Sequence, residues 1–314
     1  MKRLRILTWH VHGNYLYYLS QVPHELNVLY APGGPPGYAG ARGKLPWGAN
    51  VREVHVDEVR GQRFDCVLFQ ARRHYVEDQY QLLSPTQRAL PRIFLEHDPP
   101  QEHPTNTLHA VQDRNALLVH VTAFNALMWD SGITPARVIE HGVVVPPDVR
   151  YTGELARGLA VVNQLAKRGR RLGADVYARA AAAVPIDLVG MESQAAGGLG
   201  EIPNPELAAF MARYRFFFNP IRYTSLGLAV CEAMTLGLPI VGLATAELAT
   251  VVRNGVEGFV ATAPDALVEP MRALLADRDY AARLGAAARA RALERFGIAR
   301  FVADWTRAFR DACG

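Results

Sequence analysis

Short apolar runs recur along the first half of the chain, separated by amphipathic stretches. LRILTW, FDCVLF, RIFLEH, LLVHVT and ARVIEHGV each read as a β-strand. Most are continuous rather than alternating, which suits strands covered on both faces, as in a parallel sheet with helices between them. Residues 31–48, APGGPPGYAGARGKLPWG, are rich in Gly and Pro and predict a long surface loop of the kind that is often functional. After VVVPPDVRYTGE the pattern restarts with GLAVVN, IDLVG, RFFFNP, PIVGLA and GFVAT. A boundary is therefore expected at about residues 146–153. From Pro264 onward the chain reads as helical, and Phe301, Trp305 and Phe309 recur every four residues to make one apolar stripe. The expectation is α/β, in two successive halves with a helical tail.

At 314 residues the chain is long enough for two domains with separate cores. Half of it is hydrophobic and a fifth charged, a globular composition. No apolar run reaches the roughly 18 residues of a membrane span. The start, MKRLRILTWHVHGN, is basic and then apolar like a leader, but His10 and His12 break the run, so it reads as a retained first strand. Three cysteines, Cys66 in a strand pattern, Cys231 in a helix and Cys313, fit no disulfide framework, which points to a reducing, cytoplasmic compartment. A net charge of +4 is too mild for a dedicated nucleic-acid binder. Positive residues cluster at Lys2-Arg3-Arg5 and in KRGRR, residues 167–171. Each reads either as a solvated face or as a contact for phosphates or an anionic membrane surface, hence peripheral.

The stretch YTSLGLAVCEAMTLGLPIVGL carries the most chemistry. Thr224 or Ser225 is expected to cap a helix from about Leu226 to Leu236, with Gly237 as its left-handed exit. A strand-to-helix turn of this kind aims backbone N–H groups and the positive end of the helix dipole at one spot, which suits a diphosphate. Gly227 would let a ligand approach the backbone. Glu232, two turns on, could accept both hydroxyls of a ribose, or simply pair with an arginine.

GLAVCEAMTLGLPIV resembles the signature of glycosyltransferase family 4, retaining enzymes of the GT-B fold that use nucleotide sugars. Glu232 matches the second Glu of that family's E-x7-E motif, and Gly227-Leu228 its Gly-Leu. VVRNGVEGFVA is similar to its Asn/Asp-Gly turn, EHDPP around His97 to its His-Asp motif, and VIEHGV to the strand leading to its interdomain linker. Thr224 departs from the family, which has its first Glu there.

The resemblance implies two Rossmann-like domains facing a cleft. Residues 1–148 would form the acceptor domain, joined by a final helix (298–314) that crosses back, and residues 149–297 the donor domain. It implies that His97 contacts the sugar and that Arg171 or Arg170 contacts the diphosphate, with Lys167 and Arg168 as fallbacks and Arg222 a further candidate. Gly13 and Asn14 would give backbone contacts to phosphate, and Ser225, Leu226, Gly227, Leu228 and Glu232 would line the nucleotide, with Thr224 beside the sugar. No cofactor beyond a UDP- or GDP-linked sugar and no metal is implied. The acceptor would be a glycan, a lipid-linked glycan or a small molecule.

Two rivals stand beside this reading. Thr224 in place of Glu suits a silent nucleotide-sugar binder or partner subunit. His10-x-His12 with EHDPPQEH, ending at His103, suits a metal hydrolase.

Overall fold

A computed structural model describes residues 2–41 and 45–314. The expected loop at 31–48 is therefore described except for residues 42–44, which lie outside the described residues. Two compact units emerge: Met1–Gly142 with Ile298–Gly314, and Val143–Gly297.

The first unit holds a seven-stranded, wholly parallel sheet. Its strands are β1 (Arg5–Thr8), β2 (Glu25–Tyr30), β3 (Val51–His55), β4 (Cys66–Phe69), β5 (Arg92–Glu96), β6 (Ala116–His120) and β7 (Ala136–Val138), in the order β3-β2-β1-β4-β5-β6-β7. Five were expected from their apolar runs. Strands β2 and β3 were not: Asn27 interrupts the first, and the second, VREVH, is a mostly polar edge. The helix Ile298–Cys313 belongs to this unit and buries Phe301, Trp305 and Phe309 completely. The Trp305 indole donates to the Tyr15 hydroxyl at 3.1 Å. Gly142 is required here, because a Cβ at that position would lie 2.2 Å from the Phe301 Cβ and 2.4 Å from the first atom of its ring.

The second unit holds a five-stranded parallel sheet of β8 (Leu155–Val161), β9 (Ile186–Val189), β10 (Tyr214–Asn219), β11 (Ile240–Leu243) and β12 (Gly258–Ala261). Their order is β12-β11-β10-β8-β9. All five were expected, and β10 is buried along its whole length. The turn before β12 closes as Asn-Gly turns do, with Gly255 at φ 76° and the Asn254 side chain bonded to both backbone groups of Val260. All three cysteines are free thiols, two of them buried. Among the described residues no helix is long and apolar enough to cross a membrane.

Candidate functional site

In an open parallel sheet, ligands bind outside the carboxyl ends of the strands where the winding direction reverses. In the second unit that point lies between β8 and β10, because the chain adds β9 on one side of β8 and then β10, β11 and β12 on the other. The connection after β8 carries KRGRR on two short helical turns, Leu165–Arg168 and Gly169–Leu172, and the loop after β10 is residues 220–227. Backbone N–H groups of Arg222 and Tyr223 both donate to the Arg171 carbonyl, at 3.1 and 3.2 Å. Gly173 makes the close approach feasible: it sits at φ 81°, and a Cβ there would lie 1.9 Å from the Pro220 carbonyl oxygen.

The helix after the second loop runs Leu228–Leu236, two residues shorter than expected. Its N-cap is Gly227, so neither Thr224 nor Ser225 caps it. Residues 222–225 instead form a bend whose backbone bonds to Arg171. Val230 and Cys231 donate to the Gly227 carbonyl, at 3.0 and 3.4 Å, while the N–H groups of Leu228 and Ala229 open the helix before any intrahelical acceptor is available. Space around Gly227 is open, since a Cβ there would meet nothing within 4 Å. Gly237 is the left-handed exit, at φ 100°. Glu232 lies on the buried part of this helix and is 4% exposed, a carboxylate among Val230, Cys231, Ala233 and Met234.

The basic residues divide by what holds them. Arg222 donates to both carboxylate oxygens of Asp175, at 2.5 and 2.7 Å, and to the Arg170 carbonyl at 2.8 Å. Arg170 binds the same carboxylate at 2.7 Å. The Arg222 guanidinium beside Asp175 draws its carboxyl down to about 2. Arg222 and Arg170 thus both engage Asp175, and the Arg170 side chain remains largely exposed. Lys167 is exposed and Arg171 half-buried on the same connection. Asp175 was missed in the sequence; an acid four residues beyond the basic run was the available signal.

At the N-terminus, Lys2 pairs with Asp65 at 2.9 Å and Arg5 with Glu25 at 3.1 Å.

In the first unit the winding reverses between β1 and β4. Gly13 and Asn14 open the helix Gly13–Leu19 just beyond β1. His97 follows β5 and sits among aromatic rings: His12 at 4.3 Å and Tyr15 at 4.9 Å, both edge-on. Burial, then the nearby His12 and His141, hold its imidazole well below the ordinary histidine range. Its turn is braced on both sides. Glu96 accepts from the Asp98 backbone N–H at 3.0 Å and from His109 at 3.2 Å, while Trp129 donates to the Asp98 carbonyl at 2.8 Å.

The histidines of the metal reading do not share one focus. His10 reaches the Gly40 carbonyl at 2.5 Å, and His12 packs on His97. Among the described residues no three of His, Cys, Asp and Glu are grouped to hold a metal ion.

Residues 178–277 match the family model described as Glycosyl transferases group 1. Sucrose-phosphate synthase from Thermosynechococcus elongatus superposes with a TM-score of 0.72 at 16% identity, over 98% of this chain and 99% of that one. The fold is GT-B. HepE from Anabaena, solved with UDP-glucose, gives a TM-score of 0.65 at 15% identity over 98% of this chain and 100% of its own. AviGT4, a glycosyltransferase of avilamycin A biosynthesis, gives 0.60 at 15% over 99% and 98%. No curated protein sequence matches the chain. The matched GT-B segment begins four residues beyond the start of the Ala174–Ala183 helix and contains β9 to β12, Thr224 and Glu232, but not KRGRR.

Proposed function

We propose that this protein is a retaining glycosyltransferase that moves a sugar from a nucleoside diphosphate, UDP- or GDP-linked, to a glycan, lipid-linked or small-molecule acceptor. The observation that carries the reading is the convergence of two loops at the winding reversal of the second sheet, with an open helix start at Gly227 and Glu232 behind it. The first turn's N–H groups and helix dipole receive the diphosphate, Arg171 and Lys167 add positive charge, and Glu232 accepts the ribose hydroxyls. As the glycosidic bond breaks, negative charge grows on the leaving diphosphate, where pre-oriented donors stabilise it most. The leaving phosphate takes the acceptor proton, so neither an enzyme nucleophile nor a metal is needed. The carboxyl edge of the first sheet, with Gly13, Asn14 and His97, serves the sugar and acceptor. HepE was solved with UDP-glucose, which makes that compound the first donor to try.

Calorimetry with UDP tests the pocket. Glu232→Ala removes a charge-assisted hydrogen bond of roughly 1.5–3 kcal/mol, so affinity falls about 10- to 100-fold. Unchanged affinity in a folded variant would overturn the assignment, and transfer abolished by a chelator would overturn metal independence. The departure at Thr224 favours one second reading, a silent nucleotide-sugar binder, which would bind donor and never turn it over.

A further inference from the structure

Gln70 follows β4 and is 4% exposed, beside the winding reversal of the first sheet. Its amide nitrogen donates to two partners on β1 and just beyond it, the Thr8 hydroxyl oxygen and the Trp9 carbonyl, each at 2.9 Å. A carbonyl can only accept, so the Trp9 contact fixes which end of the amide faces β1. The Thr8 hydroxyl already donates its proton to the Leu68 carbonyl at 3.0 Å and is therefore an acceptor toward Gln70. Every proton in this chain of contacts has one place to go. The Gln70 oxygen is left facing His97, 3.1 Å from Nε2. An amide oxygen cannot donate either, so the proton of this contact belongs to His97 Nε2, and Nδ1 of the neutral ring carries a lone pair.

We infer that Gln70 is a positioning residue that holds His97 as its neutral Nε2–H tautomer, so that the ring accepts a hydrogen bond from a sugar hydroxyl and disfavours a sugar carboxylate. The preference for a neutral hexosyl donor over a uronyl donor rests on the transferase reading above; the tautomer does not. A hydroxyl brings a proton to the lone pair. A carboxylate brings only lone pairs and would lose its water without a donor in exchange. The bracing of the turn by Glu96, His109 and Trp129 supports the same function, because it fixes the backbone from which the ring projects.

The test is ring ¹⁵N–¹H correlation spectroscopy on the full chain, with the His97 signals assigned by their loss in His97→Asn. The expected result is a single Nε2–H tautomer that does not titrate between pH 8 and 5.5. An Nδ1–H ring, a mixture of tautomers or a titration near the ordinary histidine value would overturn the inference. Gln70→Leu should move the His97 signals toward a tautomer average and weaken UDP-glucose binding about tenfold, the scale of one lost hydrogen bond. A change in melting temperature alone, with the tautomer intact in Gln70→Leu, would show that Gln70 only supports packing and would overturn its positioning role. Calorimetry should then find UDP-glucuronate at least tenfold weaker than UDP-glucose, or GDP-mannuronate weaker than GDP-mannose. Equal or tighter uronate binding would overturn the discrimination. Failure of all four to bind would overturn the transferase reading, while the tautomer would stand or fall on the spectra alone.

Discussion

Arg222 lays its guanidinium along the Asp175 carboxylate, with one nitrogen 2.5 Å from Oδ1 and the other 2.7 Å from Oδ2. The two residues lie 47 positions apart: Asp175 opens the Ala174–Ala183 helix just after KRGRR, and Arg222 lies in the loop after β10, so the pair spans the winding reversal of the second sheet. Their side chains are 29% and 41% exposed, so water screens the pair and its contribution to stability is small. Its effect is to fix the distance between the two segments. Arg222→Ala should therefore lower unfolding stability by no more than about 1 kcal/mol, yet weaken UDP about tenfold by releasing the loop that leads to Gly227. Urea unfolding and calorimetry on one preparation separate the two effects. A large stability loss with unchanged UDP affinity would reverse the argument.

Gly227 has an ordinary φ of −67° and open space where a Cβ would go. Nothing within the chain demands glycine there. Gly227→Ala should leave the protein at least as stable, because alanine restricts the unfolded chain, while a methyl group at the helix start hinders a phosphate. The expected outcome is an unchanged or slightly raised melting temperature and UDP affinity reduced about tenfold. Full affinity in the alanine variant would place the diphosphate elsewhere.

Thr224 is half-buried and does not cap the helix, so its contribution is limited to its hydroxyl. Thr224→Ala should lower kcat/KM by about 1 kcal/mol of transition-state stabilisation, the scale of one neutral hydrogen bond. Thr224→Glu should reduce it further, because a carboxylate would lose water without a partner. Activity that appears only in Thr224→Glu would establish the natural protein as a silent binder.

Acid should unfold the two units in sequence. All ten histidines lie within residues 1–142, and residues 143–297 contain none. Burial is the main cause that lowers His74 and His120 to about 4 and His97 well below its ordinary 6.5. Well above pH 6.5 these groups are neutral whether the chain is folded or not, and they leave stability unchanged. As pH falls through 6.5 the unfolded chain takes up protons that the folded one refuses, so His74 and His120 each remove on the order of 2 kcal/mol by pH 4.5, and His97 acts in the same direction. In the second unit, Asp175 is held at about 2, and hydrogen-bonding arginines outweigh burial to keep Asp187 and Glu257 low. Their stabilisation is lost only as pH falls below the ordinary carboxylate range. Hydrogen exchange read by mass spectrometry between pH 7 and 4.5 should show residues 1–142 losing protection first. Simultaneous loss, or loss in the second unit first, would contradict this.

The sequence by itself determined the elements whose signals are local. Buried parallel strands such as Cys66–Phe69 and Tyr214–Asn219 need unbroken apolar runs, and those runs are visible without any partner. Gly237 and Asn254-Gly255 announce turns through backbone freedom that belongs to the residue. The motif around Glu232 pointed to a nucleotide pocket for the same reason: helix start, glycine and acid lie within nine residues. Tertiary structure alone decided which polar groups are already engaged. Nothing along the chain says that Arg222 is held by Asp175, that Trp305 meets Tyr15 across 290 positions, or that Gln70 faces His97. Strand β2 likewise becomes a strand because β1 and β3 pair with it on either side and accommodate Asn27. Periodicity records which face of an element is buried. Hydrogen-bond partners are chosen by distance in the folded chain, and that distance is set only once both sheets and their connecting loops are in place.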